Sequence, residues 1–324
     1  MSDRSVFVSA VIPTYNRAHV LPRALGSLFS QSVPVDEVII VDDGSTDGTA
    51  DMLRSTYGER VRVIVQPNGG VSAARLAGIR AARGEWISFL DSDDEWAAER
   101  NFHLVKAAES VPADVGWVFG DIVPVEDGGD SQSYFEKFGL RVTSPLQIFG
   151  DSFAVQYPVQ YGMLGASLIR RTALLQLHCF EERLRSSEDL LVGFQVASRY
   201  RFAAVPALAL KLYRTSDLRL TSTEIAGVFS NDYYRARLLG AELAIQAKAP
   251  GAWASVYAQA ARGLCLARPE PSSNTVRSLA SKQLWYEPSL KSAAFWCAGL
   301  LGTRGMSLWL ALKATYRRTA AVRA

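Results

Sequence analysis

Cysteine and histidine are scarce in this chain, three of each in 324 residues. Cys179, Cys265 and Cys297 are far apart and odd in number. That excludes a disulfide framework and the paired spacing of a cysteine zinc site, and it suits a reducing cytoplasm. His19, His103 and His178 are each isolated, so helix-surface or core roles are expected of them rather than ligation. A strong charge bias is also missing: the net charge is +3, and no nucleic-acid partner is expected of the chain as a whole. Internal repeats and low-complexity segments are absent. The first residues lack the pattern of a signal peptide, since Asp3 and Arg4 precede a short apolar run that soon meets Pro13. The expectation is a protein that stays inside the cell. One local bias stands out: from Lys291 onward there is no acidic residue, while Lys291, Arg304, Lys313, Arg317, Arg318 and Arg323 are basic.

What remains is 48% hydrophobic and 21% charged, the composition of a globular protein with a sizeable core. Its length suggests one large domain with an appendage, or two domains. Runs rich in β-branched residues alternate with helical spacing over the first hundred residues. Strands are expected at Val6 to Ile12, Glu37 to Val41, Val61 to Val65 and Trp86 to Leu90, with helices at Ala18 to Phe29, Ala50 to Tyr57 and Ser72 to Arg83. This alternation predicts an α/β sheet with parallel strands and right-handed crossovers. Further on, Gly116 to Val123 and Leu164 to Ile169 read as strands and Val125 to Lys137 as an acidic loop. Glu188 to Arg199 reads as a helix and Phe202 to Tyr213 as a return strand. From about Ile225 the pattern is helical.

Two of these strands stop abruptly at acidic residues. Val38-Ile39-Ile40-Val41 runs into Asp42-Asp43-Gly44-Ser45-Thr46-Asp47, and Phe89-Leu90 runs into Asp91-Ser92-Asp93-Asp94. Carboxylates at the carboxyl ends of sheet strands sit where α/β proteins bind ligands. Asp91 and Asp93 suit a hard divalent ion such as Mg²⁺ or Mn²⁺, which takes few protein oxygens and completes its shell with phosphate and water. Each piece also has a plainer explanation. Asp91-Ser92-Asp93 could be a solvated turn capping a helix near Glu95, and Asp42 to Gly48 is good turn and N-cap chemistry. Asn68-Gly69-Gly70 is either a tight turn or a bare backbone that lets a ligand approach a helix N-terminus, with Arg75 as a phosphate or ribose partner.

Taken in order, Ala10-Val11-Ile12-Pro13-Thr14-Tyr15-Asn16-Arg17, Val41 to Asp47, Asn68-Gly69-Gly70 with Ala74-Arg75, and Phe89 to Asp94 resemble glycosyltransferase family 2. These are inverting nucleotide-sugar enzymes with the GT-A fold, a Rossmann-like, mostly parallel mixed sheet flanked by helices. The resemblance is strong over residues 5–105 and thinner to about 222. It implies that Pro13, Thr14, Tyr15 and Asp43 line a nucleobase pocket, Tyr15 by stacking and Asp43 by accepting a hydrogen bond. It sets Asn68 and Arg75 beside the nucleotide, Asp91 and Ser92 at the ribose or donor sugar, and Asp93 on an Mn²⁺ or Mg²⁺ ion. The donor implied is a UDP-sugar, with a dTDP- or GDP-sugar as the alternative. The family's frequent Ala-Arg-Asn reads Ala74-Arg75-Leu76 here, so an asparagine contact is not carried over. The acceptor's base falls to Asp189 in Ser187-Glu188-Asp189-Leu190-Leu191, a segment that N-cap chemistry and the helix dipole would also explain. Tyr213-Arg214 matches a family pair, but the histidine that often follows is absent. Ser216 and Asp217 lie near its place, and a third metal ligand stays unassigned.

The organisation expected is a catalytic domain over residues 1–224 and a helical region over 225–324. Residues 293–312 are mostly apolar, but Gly299, Gly302, Gly305 and Arg304 weaken a membrane span. Trp296, Trp309 and Tyr316, followed by basic residues, suit a helix lying at an anionic membrane surface. Packing on the catalytic domain or in a homo-oligomer suits the segment equally. A peripheral position at the inner face of the cell membrane would serve a glycan or lipid-linked glycan acceptor, as in bacterial surface-polysaccharide synthesis. The alternatives are a catalytically silent nucleotide-sugar-binding protein and a nucleotidyltransferase, although Pro13-Thr14-Tyr15 is not the glycine-rich, basic triphosphate loop the latter needs.

Overall fold

Four strands form the parallel half of the sheet: β1 (Val8–Thr14), β2 (Glu37–Asp42), β3 (Arg62–Val65) and β4 (Trp86–Phe89). The computed structural model describes residues 5–213 except 127–128, 157–159, 181–183 and 185–186, with a few positions between 236 and 247. β1 is buried along its whole length, between β2 on one side and β4 on the other. Strands covered on both faces read as unbroken apolar runs, which is why Val38 to Val41 shows no polar alternation.

The helices between these strands are α1 (Leu21–Phe29), α2 (Thr49–Tyr57) and α3 (Val71–Ala81). Alternate residues of a strand face opposite sides. Val8, Ala10, Ile12 and Ile40 accordingly share a core with Leu21, Leu25 and Leu28 of α1 and Leu53 of α2. Val11, Ile39 and Val41 pack on the other face with Ala74 and Ile79 of α3. A Cβ at Gly78 would stand 2.3 Å from Val11 Cγ1, so bare backbone sets how closely α3 approaches β1.

The remainder comprises β5 (Glu95–Trp96), α4 (Arg100–Ser110), β6 (Val115–Glu126), β7 (Gly129–Asp130), α5 (Tyr134–Phe138), β8 (Gln147–Ile148), α6 (Ser152–Gln156), β9 (Ser167–Arg170), α7 (Arg171–Gln176), α8 (Glu188–Ala197) and β10 (Arg201–Tyr213). The main sheet order is β3-β2-β1-β4-β9-β6-β10-β5. β9 runs antiparallel between β4 and β6, while β10 returns parallel to β6. The sheet is therefore mixed.

Several local differences from the expectations have physical causes. β1 continues through Pro13. Thr14 O accepts from Asp43 N on the β2 side and Val11 O from Leu90 N on the β4 side, so by alternation Pro13 N faces the β4 side beyond the paired residues. The stretch from Val125 to Lys137 is not a plain loop. It holds β7 and most of α5, with Tyr134 and Phe135 buried and Ser133 Oγ accepting from Glu136 N at the helix start. No helix begins near Glu95: that residue and Trp96 pair antiparallel with β10, and α4 starts at Arg100. β10 shifts register between Ala204 and Leu208, around Pro206, which has no N–H to give.

The chain divides into two compact units, Met1–Leu220 and Thr221–Ala324. The boundary at 224, the helical reading of 225–324 and the apolar segment 293–312 lie outside the described residues, as do Cys265 and Cys297. No helix among the described residues is long and apolar enough to cross a membrane.

Candidate active site

After β3 the chain crosses back and places β4 on the far side of β1. Connections leaving the carboxyl ends of β1 and β4 part there, and the crevice outside such a switch point is where open α/β sheets bind ligands. Both acidic clusters lie at this end of the sheet.

The loops after β1 and β2 form one wall. Pro13 and Thr14 are buried in the strand, and Tyr15 emerges from it 40% exposed. Asn16 takes a left-handed backbone, φ 52°, a conformation asparagine tolerates well. Its N–H donates to Ser45 Oγ at 2.8 Å and its Oδ1 accepts from Thr46 N at 2.8 Å. Ala18 N donates to Asp47 Oδ2 at 3.1 Å, so the two loops are stitched together. Asp42 faces inward: its Oδ1 accepts from Ser45 N at 2.8 Å.

Asp43 organises the third loop. Its Oδ1 accepts from Gln66 Nε2 at 2.7 Å and from Gly69 N at 3.0 Å, and its Oδ2 accepts from Gly70 N at 2.7 Å. A carboxylate has about four acceptor sites, which leaves one on Oδ2 for a ligand. The residue expected at a nucleobase thus also fixes the turn that opens α3. Gly44, at φ +83°, lies so close to this turn that a Cβ on it would be 3.0 Å from Asn68 N. Asn68 itself is exposed.

The loop after β4 carries the second acidic cluster. Asp91 and Asp93 are partly exposed, whereas Ser92 and Asp94 are buried. Burial, then the neighbouring Asp91 charge, raises the Asp93 carboxyl above its ordinary value. The same causes, with Asp93 added, raise Asp94 further. Arg17 and Arg23 oppose the rise at Asp93. Arg23 Nη2 donates to the Asp93 carbonyl at 2.6 Å, its Nε pairs with Glu95 at 3.1 Å, and its guanidinium lies 3.9 Å above the Tyr213 ring. Tyr213 N donates to Asp94 Oδ1 at 3.0 Å and its hydroxyl to Glu95 Oε1 at 3.0 Å. The end of β10 therefore clasps the acidic loop. Nothing in the sequence pattern pairs Tyr213 with Asp94 across so long a separation, and no motif marks Arg23. Arg214, Ser216 and Asp217 lie outside the described residues. Among the described residues no group of three or more His, Cys, Asp or Glu side chains could hold a metal ion.

The third wall is the start of α8. Glu188 and Asp189 follow Ser187, which adopts φ 60°. Asp189 is half-buried; its Oδ1 accepts from Leu190 N at 2.8 Å and its Oδ2 from Gln160 Nε2 at 3.0 Å. Burial and then the Glu188 charge push its carboxyl up to about 6, against the opposing pull of Arg75. Gln160 carried no motif that marked it beforehand. Arg75, expected beside a nucleotide, lies beneath the crevice with only 4% of its side chain exposed. Its Nη2 donates to Asp91 Oδ1 at 2.7 Å and its Nη1 to Glu188 Oε1. One cation thus connects the acidic loop to the helix that carries Asp189.

Known proteins share this fold and parts of this sequence. The model of glycosyl transferase family 2 matches residues 9–177, just over half of the chain. The succinoglycan biosynthesis protein ExoO of Rhizobium meliloti is 32% identical over 209 residues, which cover 63% of this chain and 60% of that protein. The aligned part thus spans less than two thirds of that relative. Staphylococcus aureus TarS 1-349, solved in complex with UDP-GlcNAc, has the same fold with a TM-score of 0.58 at 20% identity, covering 91% of this chain and 79% of that one. GalNAc-T7 with UDP, GalNAc and Mn²⁺ follows at a TM-score of 0.52 and 15% identity, covering 72% and 48%. The fold is GT-A, and with the family match spanning β1 through α7, this chain belongs to glycosyl transferase family 2.

Proposed function

We propose that this protein moves a sugar from a nucleoside diphosphate, with UDP as the carrier, to an acceptor hydroxyl with inversion at the anomeric carbon. The observation that carries the reading is the meeting of two chemistries at one crevice. Acidic residues suited to a diphosphate-bound cation stand at the end of β4, and a carboxylate with a raised pKa stands at the start of α8.

Tyr15 offers a ring on which a base can stack, and Asp43 offers its free acceptor site to a base N–H. Asp93, next to Asp91, would hold an Mn²⁺ or Mg²⁺ ion. Two neighbouring carboxylates supply the hard oxygen donors such an ion takes, and a cation offsets the burial and the Asp91 repulsion that together raise the Asp93 carboxyl. When bound, the ion supplies positive charge at the leaving diphosphate. Asp189 takes the proton of the acceptor hydroxyl as that oxygen attacks the anomeric carbon from the face opposite the leaving group. A carboxylate near 6 is ionised at neutral pH yet more basic than an ordinary aspartate, which suits a general base. Gln160 and Leu190 N hold its two oxygens. One displacement gives inversion and needs no covalent sugar–enzyme intermediate.

The name of the Rhizobium relative, a succinoglycan biosynthesis protein, supports a glycan as the acceptor class; a lipid-linked form of it, met at the inner face of the cell membrane, is part of the proposal. The test is nucleotide release from a panel of nucleotide sugars in Mn²⁺, using wild type, Asp93→Ala and Asp189→Asn. The expected result is release by wild type, lost donor binding in the first variant, and binding without turnover in the second. Donor binding without turnover in wild type would instead mark a silent sugar-nucleotide-binding protein. Normal turnover by Asp189→Asn would remove the assigned base.

A further inference from the structure

The start of α8 sets two carboxylates side by side, and Arg75 links one of them to a third. Arg75 reaches Glu188 with Nη1 and Asp91 with Nη2, and its guanidinium is closed in by Phe180 and Phe89, whose ring centres lie 5.8 and 6.0 Å away. A guanidinium is a planar, rigid fork, so it fixes its two acceptors relative to each other as well as neutralising them. Asp91 belongs to the end of β4 and Glu188 to the first turn of α8. Sequence distance is bridged here by one buried side chain on a third element, α3.

We infer that Arg75 is a positioning residue for Asp189: through Glu188 it locks the first turn of α8 to the carboxyl end of β4, and it supplies the counter-charge that lets two adjacent carboxylates stand there. This rests on the reading of Asp189 as the base. It assigns Arg75 a task other than contact with the nucleotide.

Among the described residues few other charges face Asp189. Glu188 lies beside it on α8 and Arg75 comes from α3, while Asp91 at the end of β4 meets Arg75. α6 has no charged residue, and Arg171, the charged residue of α7, donates to the carbonyl of Ile79 at 2.9 Å. Gln160 contributes a neutral amide. The signs follow directly. Glu188 raises the Asp189 carboxyl and Arg75 lowers it. A base must be ionised to accept a proton, so the acid limb of kcat/KM follows Asp189.

The experiment compares pH profiles of wild type, Glu188→Gln, Arg75→Gln and Arg75→Lys. Glu188→Gln is expected to move the acid limb down by roughly one pH unit, and Arg75→Gln to move it up by a similar amount. Arg75→Lys keeps the charge but cannot span both carboxylates. Its limb should stay in place while kcat falls roughly 10- to 100-fold with little change in donor KM. A general loosening would move the first two limbs in one direction or neither, and that result overturns the inference. If Arg75→Gln fails to fold by circular dichroism, Glu188→Gln and Arg75→Lys still decide: an unmoved limb in the first or unchanged kcat in the second refutes it. The Asp189 carboxyl carbon can be followed by NMR in ¹³C-aspartate-labelled protein, with Asp189→Asn for assignment. Its titration should shift down in Glu188→Gln even without turnover. Absence of turnover in wild type therefore refutes only the proposed function, and an unmoved Asp189 titration refutes only the positioning role.

Discussion

Asp43 has two demands on one side chain. Three backbone or side-chain donors from the Gln66 to Gly70 segment already converge on it, and a base N–H would be a fourth. Hydrogen bonds to a charged acceptor contribute more than neutral ones, and removing the acceptor loses three of them at once. Asp43→Ala should therefore cost about 3 kcal/mol in urea denaturation as well as weakening UDP binding. A variant that loses binding at unchanged stability would show that the carboxylate serves the ligand and not the loop. The nucleobase role could be inferred from the family pattern, but the bracing role could not. It depends on where Asn68-Gly69-Gly70 arrives after a crossover, and sequence spacing does not give that distance. The same is true of Arg75: its position in a motif suggested a ligand contact, while its partners Asp91 and Glu188 come together only through the fold.

At the scale of elements, the parallel half of the sheet was legible because its strands are buried on both faces and end at turn residues. α3 was legible too, though not its depth against the sheet. That depth is set by Gly78, whose missing side chain leaves room for Val11. Gly78→Ala adds helix propensity of about 1 kcal/mol, but its methyl would sit 2.3 Å from Val11 Cγ1 and must push α3 outward. Overpacking is expected to win, with a net loss of about 1–2 kcal/mol and a drop in turnover as Arg75 is carried away. Adding Val11→Ala should recover part of both. Stability equal to wild type in the single variant would refute the close approach. The elements that were misread or passed over are short. α5 has five residues and β5 and β8 two each, too few for periodicity to register. β5 exists because β10 passes beside it, which no local pattern could announce.

For the whole molecule, the family and the GT-A sheet were readable from four ordered motifs, and the family match and the solved folds agree with them. The antiparallel insertion of β9 between β4 and β6 was not readable, because a four-residue strand carries no mark of its direction. The proposed function turns on geometry: the leaving diphosphate at the end of β4 and the base on α8 would lie on opposite faces of the donor sugar. Water can stand in for an unknown acceptor, so slow hydrolysis of an α-linked UDP-sugar in Mn²⁺ reports the geometry directly. Proton NMR of the first-formed sugar, read before mutarotation, should show the β-anomer, and Asp189→Asn should abolish its appearance. An α-anomer formed first would contradict a single inverting displacement and the placement of Asp189 opposite the leaving group.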